Sequence, residues 1–468
     1  MSRVTRPPRK KLQQQSVFPP EINADGFQGE HEELYVPTKY KMLLCVLFAS
    51  IWCLFSIYVA LPWISELSSS IGSVLAWLVI TGIAVIPGFV NAFLVMGLLL
   101  DRRPDFDLPI ELPAISILIA AYNESECIQQ TLESINKQVY PAPIQVIIID
   151  DGSKDSTVAI ARDYIAREMS PRFNAEVIVK EKNAGKAVAL NTGLLHVLYE
   201  HVITLDADSY LFRGALENIV KNLVLGPFNT AAVAGTVLAR NSRKNWLTKL
   251  QEWDYYQGIS VVKRIQSLFQ GTLVAQGAFS IYETNALKAV GGWPDTVGED
   301  IVLTWSFIAA GWRVSYAENA FVFTNVPEEY GSYYRQRKRW SRGLIEAFKS
   351  HPIILFRPRM NSAFVYFNFM FPYIDAAFLF GFIPGVILAI FFNNYAIVGV
   401  MTLFLLPLAM LINYFMYLKQ TSIFKKYGLK VRKNNFGLIG YMLFYQLLLS
   451  PASLMGYFYE LINTRKEW

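Results

Sequence analysis

Asp206 and Asp208 stand two positions apart, directly after the apolar run His201–Leu205. If extended backbone continues through them, both carboxylates point to the same side. Two hard oxygen ligands on one side suit Mg²⁺ or Mn²⁺, which completes its shell with waters and substrate phosphates. An ion there neutralises charge on a departing diphosphate. Asp150-Asp151-Gly152-Ser153 ends a second apolar run, Gln145–Ile149. Such residues also form ordinary turns; the chemical reading is a carboxylate accepting hydrogen bonds from a uracil imide or a ribose. Asn183-Ala184-Gly185-Lys186 reads as a helix entry whose lysine meets a phosphate or the base region.

Glu299-Asp300 follow Gly291-Gly292-Trp293-Pro294 and open a helical run over 301–310. Acids favour helix N-termini in any case. A carboxylate at a site mouth can also take the proton of an attacking hydroxyl. Gln336, Arg339 and Trp340 fall at i, i+3 and i+4, so a helix displays them on one face. There a guanidinium binds diphosphate oxygens and an indole gives a sugar ring a flat platform. The flanking Arg335, Arg337, Lys338 and Arg342 are expected to face lipid headgroups.

The elements that must position these groups read as alternating strands and helices over 113–350. Strands are expected at Ala114–Ala121, Gln145–Ile149, Glu176–Val179 and His201–Leu205, with helices at Glu124–Lys137, Ser156–Glu168 and Gly185 to about Glu200. Ser153 or Asp155 is the expected cap of the second helix. This repetition implies an α/β domain with a mostly parallel sheet. Ligands of such sheets lie outside the carboxyl ends of strands, where the acidic clusters fall. Neither G-x-G-x-x-G nor G-x-x-x-x-G-K-[ST] is present, which leaves a dinucleotide fold and a P-loop unsupported.

A composition 53% hydrophobic and 17% charged is too apolar for a wholly soluble enzyme. Residues 42–62 and 74–100 are long and apolar enough to cross ~30 Å of hydrocarbon. Residues 364–392, 395–418 and 437–461 form a second group, and Pro372 and Asp375 suggest that 364–377 lies along the surface. Arg3, Arg6, Arg9, Lys10, Lys11, Arg102, Arg103 and the lysines of 419–436 put the N-terminus, central domain and that loop in the cytoplasm. Residues 62–73 carry no Lys or Arg and read as an external loop, while Arg465-Lys466 would end on the wrong side if 437–461 spans. The expected division is a disordered basic tail at 1–38, two spans at 39–100, the catalytic domain at 101–350, and an interfacial helix plus about three membrane helices at 351–468. The net charge of +6 lies beside the apolar runs and implies a lipid bilayer, not nucleic acid, as partner. Cys45, Cys53 and Cys127 show neither disulfide nor metal spacing.

Taken in order, Ala121-Tyr122-Asn123-Glu124, Asp150-Asp151-Gly152-Ser153, Asn183-x-Gly185-Lys186, Asp206-x-Asp208, Gly277-Ala278, Glu299-Asp300 and Gln336-x-x-Arg339-Trp340 resemble the processive family 2 glycosyltransferases. That family includes cellulose, chitin, hyaluronan and poly-N-acetylglucosamine synthases. The stretch Gln251–Gln266 and its lead into Gly277-Ala278-Phe279 is most similar to the bacterial poly-β-1,6-N-acetylglucosamine branch. The resemblance covers roughly 110–350 and implies a GT-A type domain in the inner membrane, building a biofilm-type polymer from UDP-N-acetylglucosamine. Ala121, Asn123, Glu124, Asp151 and Lys186 would then bind the donor, and Asp206 and Asp208 its diphosphate through metal. Asp300 would be the base beside Glu299, and Gly277, Ala278, Gln336, Arg339 and Trp340 would grip diphosphate and acceptor. The implied partners are a UDP-sugar, the growing polysaccharide, the bilayer and room for a small membrane accessory subunit. Two positions depart from the pattern: Glu283, where relatives often have Arg, and Gly298, where Thr or a similar residue is usual. The rival readings are a cellulose, chitin or hyaluronan synthase, a non-processive polyprenyl-phosphate glycosyltransferase, and a membrane transporter or scaffold.

Overall fold

The computed structural model describes residues 36–101, 110–398 and 400–464. The tail up to residue 35, Arg102 and Arg103, and the basic end Arg465-Lys466 lie outside the described residues. The central domain holds β1 (Ile115–Ala121), β2 (Ile144–Asp150), β3 (Phe173–Val179), β4 (His201–Leu205), β5 (Tyr210–Leu211), β6 (Thr230–Ala239), β7 (Phe279–Glu283) and β8 (Arg313–Thr324). They form one sheet in the order β3-β2-β1-β4-β7-β6-β8-β5. β1 to β4 are mutually parallel, as are β6 and β8, while β7 runs antiparallel between β4 and β6.

Both faces of the sheet are covered, which is why β1 and β2 are apolar at consecutive positions. Ile117, Ile119, Val146 and Ile148 pack on one side with Ile128, Leu132, Leu216 and Ile219. Leu118, Ile147 and Ile149 pack on the other with Ala187, Leu190, Leu303 and Phe307. A β-branched side chain buried on each face contributes about 1.5–3 kcal/mol. Expected strands appear with small shifts, whereas two helices are shorter than their apolar spacing suggests. The first begins only at Ile128, because Asn123 is left-handed (φ 57°) and Glu124–Cys127 form a turn. The helix entered through Gly185 ends at Leu194. There the Gln145 amide donates to His196 O (2.9 Å) and accepts from Leu198 N (3.0 Å), drawing the chain out of helix.

Four helices among the described residues are long and apolar enough to cross a membrane: Thr38–Ile71, Ser73–Leu100, Ser362–Phe392 and Asn435–Leu461. Val400–Lys426 is a further 27-residue helix. The loop expected over 62–73 is absent. The first helix continues through Pro62 and stops only at Gly72, whose φ of 84° breaks it; a proline is tolerated where neighbouring helices re-satisfy the backbone. Ser362–Phe392 is one helix with a π-helical segment at Phe378–Phe382, so Pro372 does not divide it. The apolar helices share a core with the sheet domain: Phe93 packs against Phe269 and Phe364, each with ring centroids 5.6 Å away, in the cluster that contains Trp305.

Candidate active site

The β1 and β2 ends are tied together before any ligand arrives. Asn123 N donates to Ser153 Oγ (2.9 Å) and Asn123 Oδ1 accepts from Lys154 N (2.9 Å). Glu124 N donates to Thr157 Oγ1 (2.8 Å), and Ser125 N to Asp155 Oδ2 (3.1 Å). Asp155 also accepts from Thr157 N (3.0 Å). It thus supplies the carboxylate expected of a cap, although Ser156 occupies the cap position. Those hydrogen bonds to Thr157 and Ser125 outweigh its slight desolvation and hold its carboxyl down to about 2.

Asp151 is buried and already supplied with donors. It pairs with Lys180 and accepts from Ala184 N (3.1 Å) and Gly185 N (2.7 Å). Its carboxylate therefore anchors the turn that launches Lys186. Gly152 completes this joint: its φ is +79°, and a Cβ there would lie 2.9 Å from Asn183 N.

Asp206 and Asp208 follow β4 in a tight turn, closed by Ser209 N donating to Asp206 O (3.0 Å). Turn geometry, not strand alternation, sets their relation. That corrects the expected cause while leaving the two acids close enough for Asp206 to raise the Asp208 carboxyl. Burial is the larger influence, and together they push Asp208 up to about 6, although Thr324 Oγ1 donates to it (3.1 Å). Glu124 is pushed up to about 7, first by burial and then by Asp208, Asp206 and Asp155. Two hard carboxylates fit a divalent cation that draws its other ligands from water and phosphate. No group of three or more His, Cys, Asp or Glu suited to a metal occurs among the described residues.

Lys186 opens its helix and joins the acids. Its ammonium pairs with Asp206 and lies 3.9 Å from Glu299 Oε1. Burial opposes that charge, but Asp206 and Glu299 outweigh it and hold the amine above its ordinary range. Gly277 makes the meeting possible, since a Cβ there would come within 2.6 Å of Lys186 Nζ and 3.6 Å of Glu299 Oε1. Ala278 O accepts from Asp206 N (3.2 Å).

Glu299 and Asp300 are the first two residues of the Glu299–Ala310 helix. Asp300 Oδ1 accepts from Ile301 N (2.7 Å), and Thr304 Oγ1 donates to Asp300 O (2.7 Å) and accepts from Ala275 N (2.8 Å). Glu299 is pushed up to about 7 by burial and by Asp300, against the pull of Lys186 and Arg339. Arg339 therefore reaches the same electrostatic neighbourhood from the Tyr330–Ser350 helix. On that helix Arg339 and Trp340 are exposed, and Gln336 carries a buried Oε1 without a hydrogen-bond partner. Arg337 and Arg342, expected at headgroups, are instead buried and paired with Asp254 and Glu460. Facing acids on other helices make that burial tolerable.

The turns and helix starts thus gather Asp206, Asp208, Lys186, Gly277, Glu299 and Arg339 at one end of the sheet. Residues 116–291 match the family described as glycosyl transferase family 2. The poly-β-1,6-N-acetyl-D-glucosamine synthase of Staphylococcus epidermidis is 36% identical over 238 residues, covering 50% of this chain and 55% of that relative. The synthase of that name from Staphylococcus aureus (strain COL) is 34% identical over 245 residues, covering 52% and 57%. The chain thus spans little more than half the length of the curated relatives it matches. The mannosyltransferase PcManGT from Pyrobaculum calidifontis, solved with GDP-Man and Mn2+, shares the fold (TM-score 0.53, 18% identity, covering 81% of this chain and 96% of that one). The GT-A-like domain is flanked on both sides by apolar helices.

Thr324 and the Asp254–Arg337 pair escaped the sequence reading. Thr324 comes to Asp208 only because β5 pairs antiparallel with the end of β8. No local signal announces that contact.

Proposed function

We propose that the chain is an inverting, multi-pass membrane glycosyltransferase with its catalytic domain on the cytoplasmic face of the cell membrane. It polymerises a UDP-sugar, UDP-N-acetylglucosamine, into an exported poly-β-1,6-N-acetylglucosamine. The observation that carries this reading is the convergence of Asp206, Lys186 and Glu299 against Gly277, within a domain that matches glycosyl transferase family 2 and is similar to synthases of that polymer.

In this mechanism Asp300 takes the proton of the acceptor hydroxyl as its oxygen attacks the anomeric carbon. The bond from that carbon to the diphosphate oxygen breaks on the opposite face, and UDP departs with the electron pair. Lys186 and Arg339 face the negative charge that develops on the diphosphate. Asp206 and Asp208 would hold Mg²⁺ or Mn²⁺, which when bound neutralises charge on phosphate oxygens. Asp151 keeps the Lys180–Gly185 turn in place beneath the uridine, and Trp340 offers its exposed indole to the acceptor sugar.

Purified protein supplied with a panel of UDP-sugars, followed by linkage analysis, tests this reading. The expected product is a long β-1,6-linked N-acetylglucosamine polymer. A β-1,4 polymer would point to a cellulose- or chitin-like synthase, and single-sugar transfer to a polyprenyl phosphate to a non-processive enzyme. Asp300→Asn is expected to lower transfer by roughly 10²–10⁴-fold while UDP binding persists; transfer within a few fold of wild type would remove Asp300 from the base role.

A further inference from the structure

The Tyr330–Ser350 helix buries an arginine for which donor chemistry has no use. Arg337 is 4% exposed, and its Nη2 lies 2.8 Å from Asp254 Oδ2. Asp254 comes from another segment, where it opens the π-helical turn Asp254–Ile259 between the Trp246–Trp253 and Ser260–Leu268 helices. Such wide turns are rare and concentrate at functional sites. Gly258 keeps this one open for the acid: a Cβ there would lie 2.8 Å from Asp254 Oδ1.

The same guanidinium lies 4.1 Å from the centroid of the Trp340 ring, three residues along the helix. That is well within the range at which a cation holds an indole face. Tyr255, next to Asp254, flanks the arrangement, with its ring 6.4 Å from Trp340 and 6.0 Å from the guanidinium. Trp340 nevertheless remains 39% exposed. A buried ion pair contributes little net stability compared with an apolar pair of similar shape, so stability alone does not account for it. An indole on a helix surface can otherwise turn about two side-chain torsions, and a stacking platform works only when its plane is held.

We propose that Asp254 and Arg337 are positioning residues that lock the Trp340 indole as the platform for the acceptor sugar. The inference rests on the reading above, in which Trp340 meets the acceptor. The donor is bound at the strand ends, and the acceptor platform is set by a clamp between two helical segments. Damage to the clamp therefore weakens acceptor binding and spares the donor.

The test uses the full chain in detergent, UDP-N-acetylglucosamine as donor and a soluble β-1,6-linked N-acetylglucosamine tetrasaccharide as acceptor. Arg337→Lys keeps the charge opposite Asp254 but removes the flat guanidinium from the indole. Its acceptor KM is expected to rise by about five- to tenfold with donor KM within about twofold of wild type. In a Trp340→Phe background the same change should move acceptor KM by less than about twofold, because the two residues act as one unit. Asp254→Asn, approaching from the other helix, should reproduce the acceptor defect. Independent, multiplying effects in the double variant would overturn the clamp. So would equal rises in donor and acceptor KM, or loss of UDP binding in both single variants, which would mark the pair as structural only. If wild-type protein does not extend the tetrasaccharide at all, the proposed function falls, and this inference with it.

Discussion

Glu299 keeps its proton in the folded chain where an ordinary glutamate has lost it, because burial and Asp300 raise it from 4.5 to about 7. Between those values the folded chain binds more protons than the unfolded chain. The contribution of this group to stability is therefore present at low pH and falls as pH rises from about 4.5 to about 7. Glu299→Gln removes that slope. Its melting temperature relative to wild type should be higher at pH 8 than at pH 5, and an equal offset at both would show that Glu299 ionises normally. At this scale the sequence was informative where chemistry is written locally. Asp206 and Asp208 were legible because two acids follow an apolar strand, and Gln336, Arg339 and Trp340 because of helical spacing. The burial of Arg337 was not legible, since its partner Asp254 stands over eighty positions earlier and meets it only through tertiary packing.

Among the elements, the start of the Glu299–Ala310 helix and the Tyr330–Ser350 helix meet backbone to backbone. A Cβ on Gly298 would lie 2.4 Å from Gly343 Cα, and one on Gly343 would lie 2.7 Å from Gly298 Cα. Gly298 N also donates to Glu346 Oε2 (2.9 Å). This contact accounts for glycine at 298, where the resemblance implies threonine or a similar residue, and it brings the acids and Arg339 to one neighbourhood. Gly298→Ala is expected to cost roughly 1–3 kcal/mol by overpacking and to reduce transfer by displacing Asp300. Thermal denaturation and initial rates should change together; wild-type values for both would mean that the two helices separate freely. Strand positions were readable from apolar runs in a parallel sheet. Helix ends were not, because a side chain from a different element, Gln145, ends the helix at Leu194.

Across the whole molecule, Asn435–Leu461 links another apolar helix, Ser362–Phe392, to the Tyr330–Ser350 helix. Asp375 on Ser362–Phe392 accepts from Gln446 Nε2 (2.8 Å), Ser450 Oγ (2.8 Å) and Tyr457 OH (3.1 Å). Glu460, near the other end, faces Arg342 (3.3 Å) and Lys349 (3.2 Å) of the Tyr330–Ser350 helix. Removing one member of such a buried group commonly costs about 3–5 kcal/mol. Glu460→Ala should therefore speed heat inactivation of transfer in detergent, with initial rates at low temperature less affected; unchanged half-lives would show that the contact carries no load. The apolar runs announced these helices, but their shared core with Trp305 and Phe269 depends on which helix faces cross.

The most direct measurement is UDP binding and sugar transfer with Mn²⁺ and with chelator, for wild type and for Asp206→Asn/Asp208→Asn. Metal-dependent binding and transfer are expected in wild type, with loss of transfer by at least about 10²-fold in the double variant. Transfer by that variant at the wild-type rate, or wild-type transfer indifferent to chelator, would contradict a diphosphate leaving through a cation held at the end of β4.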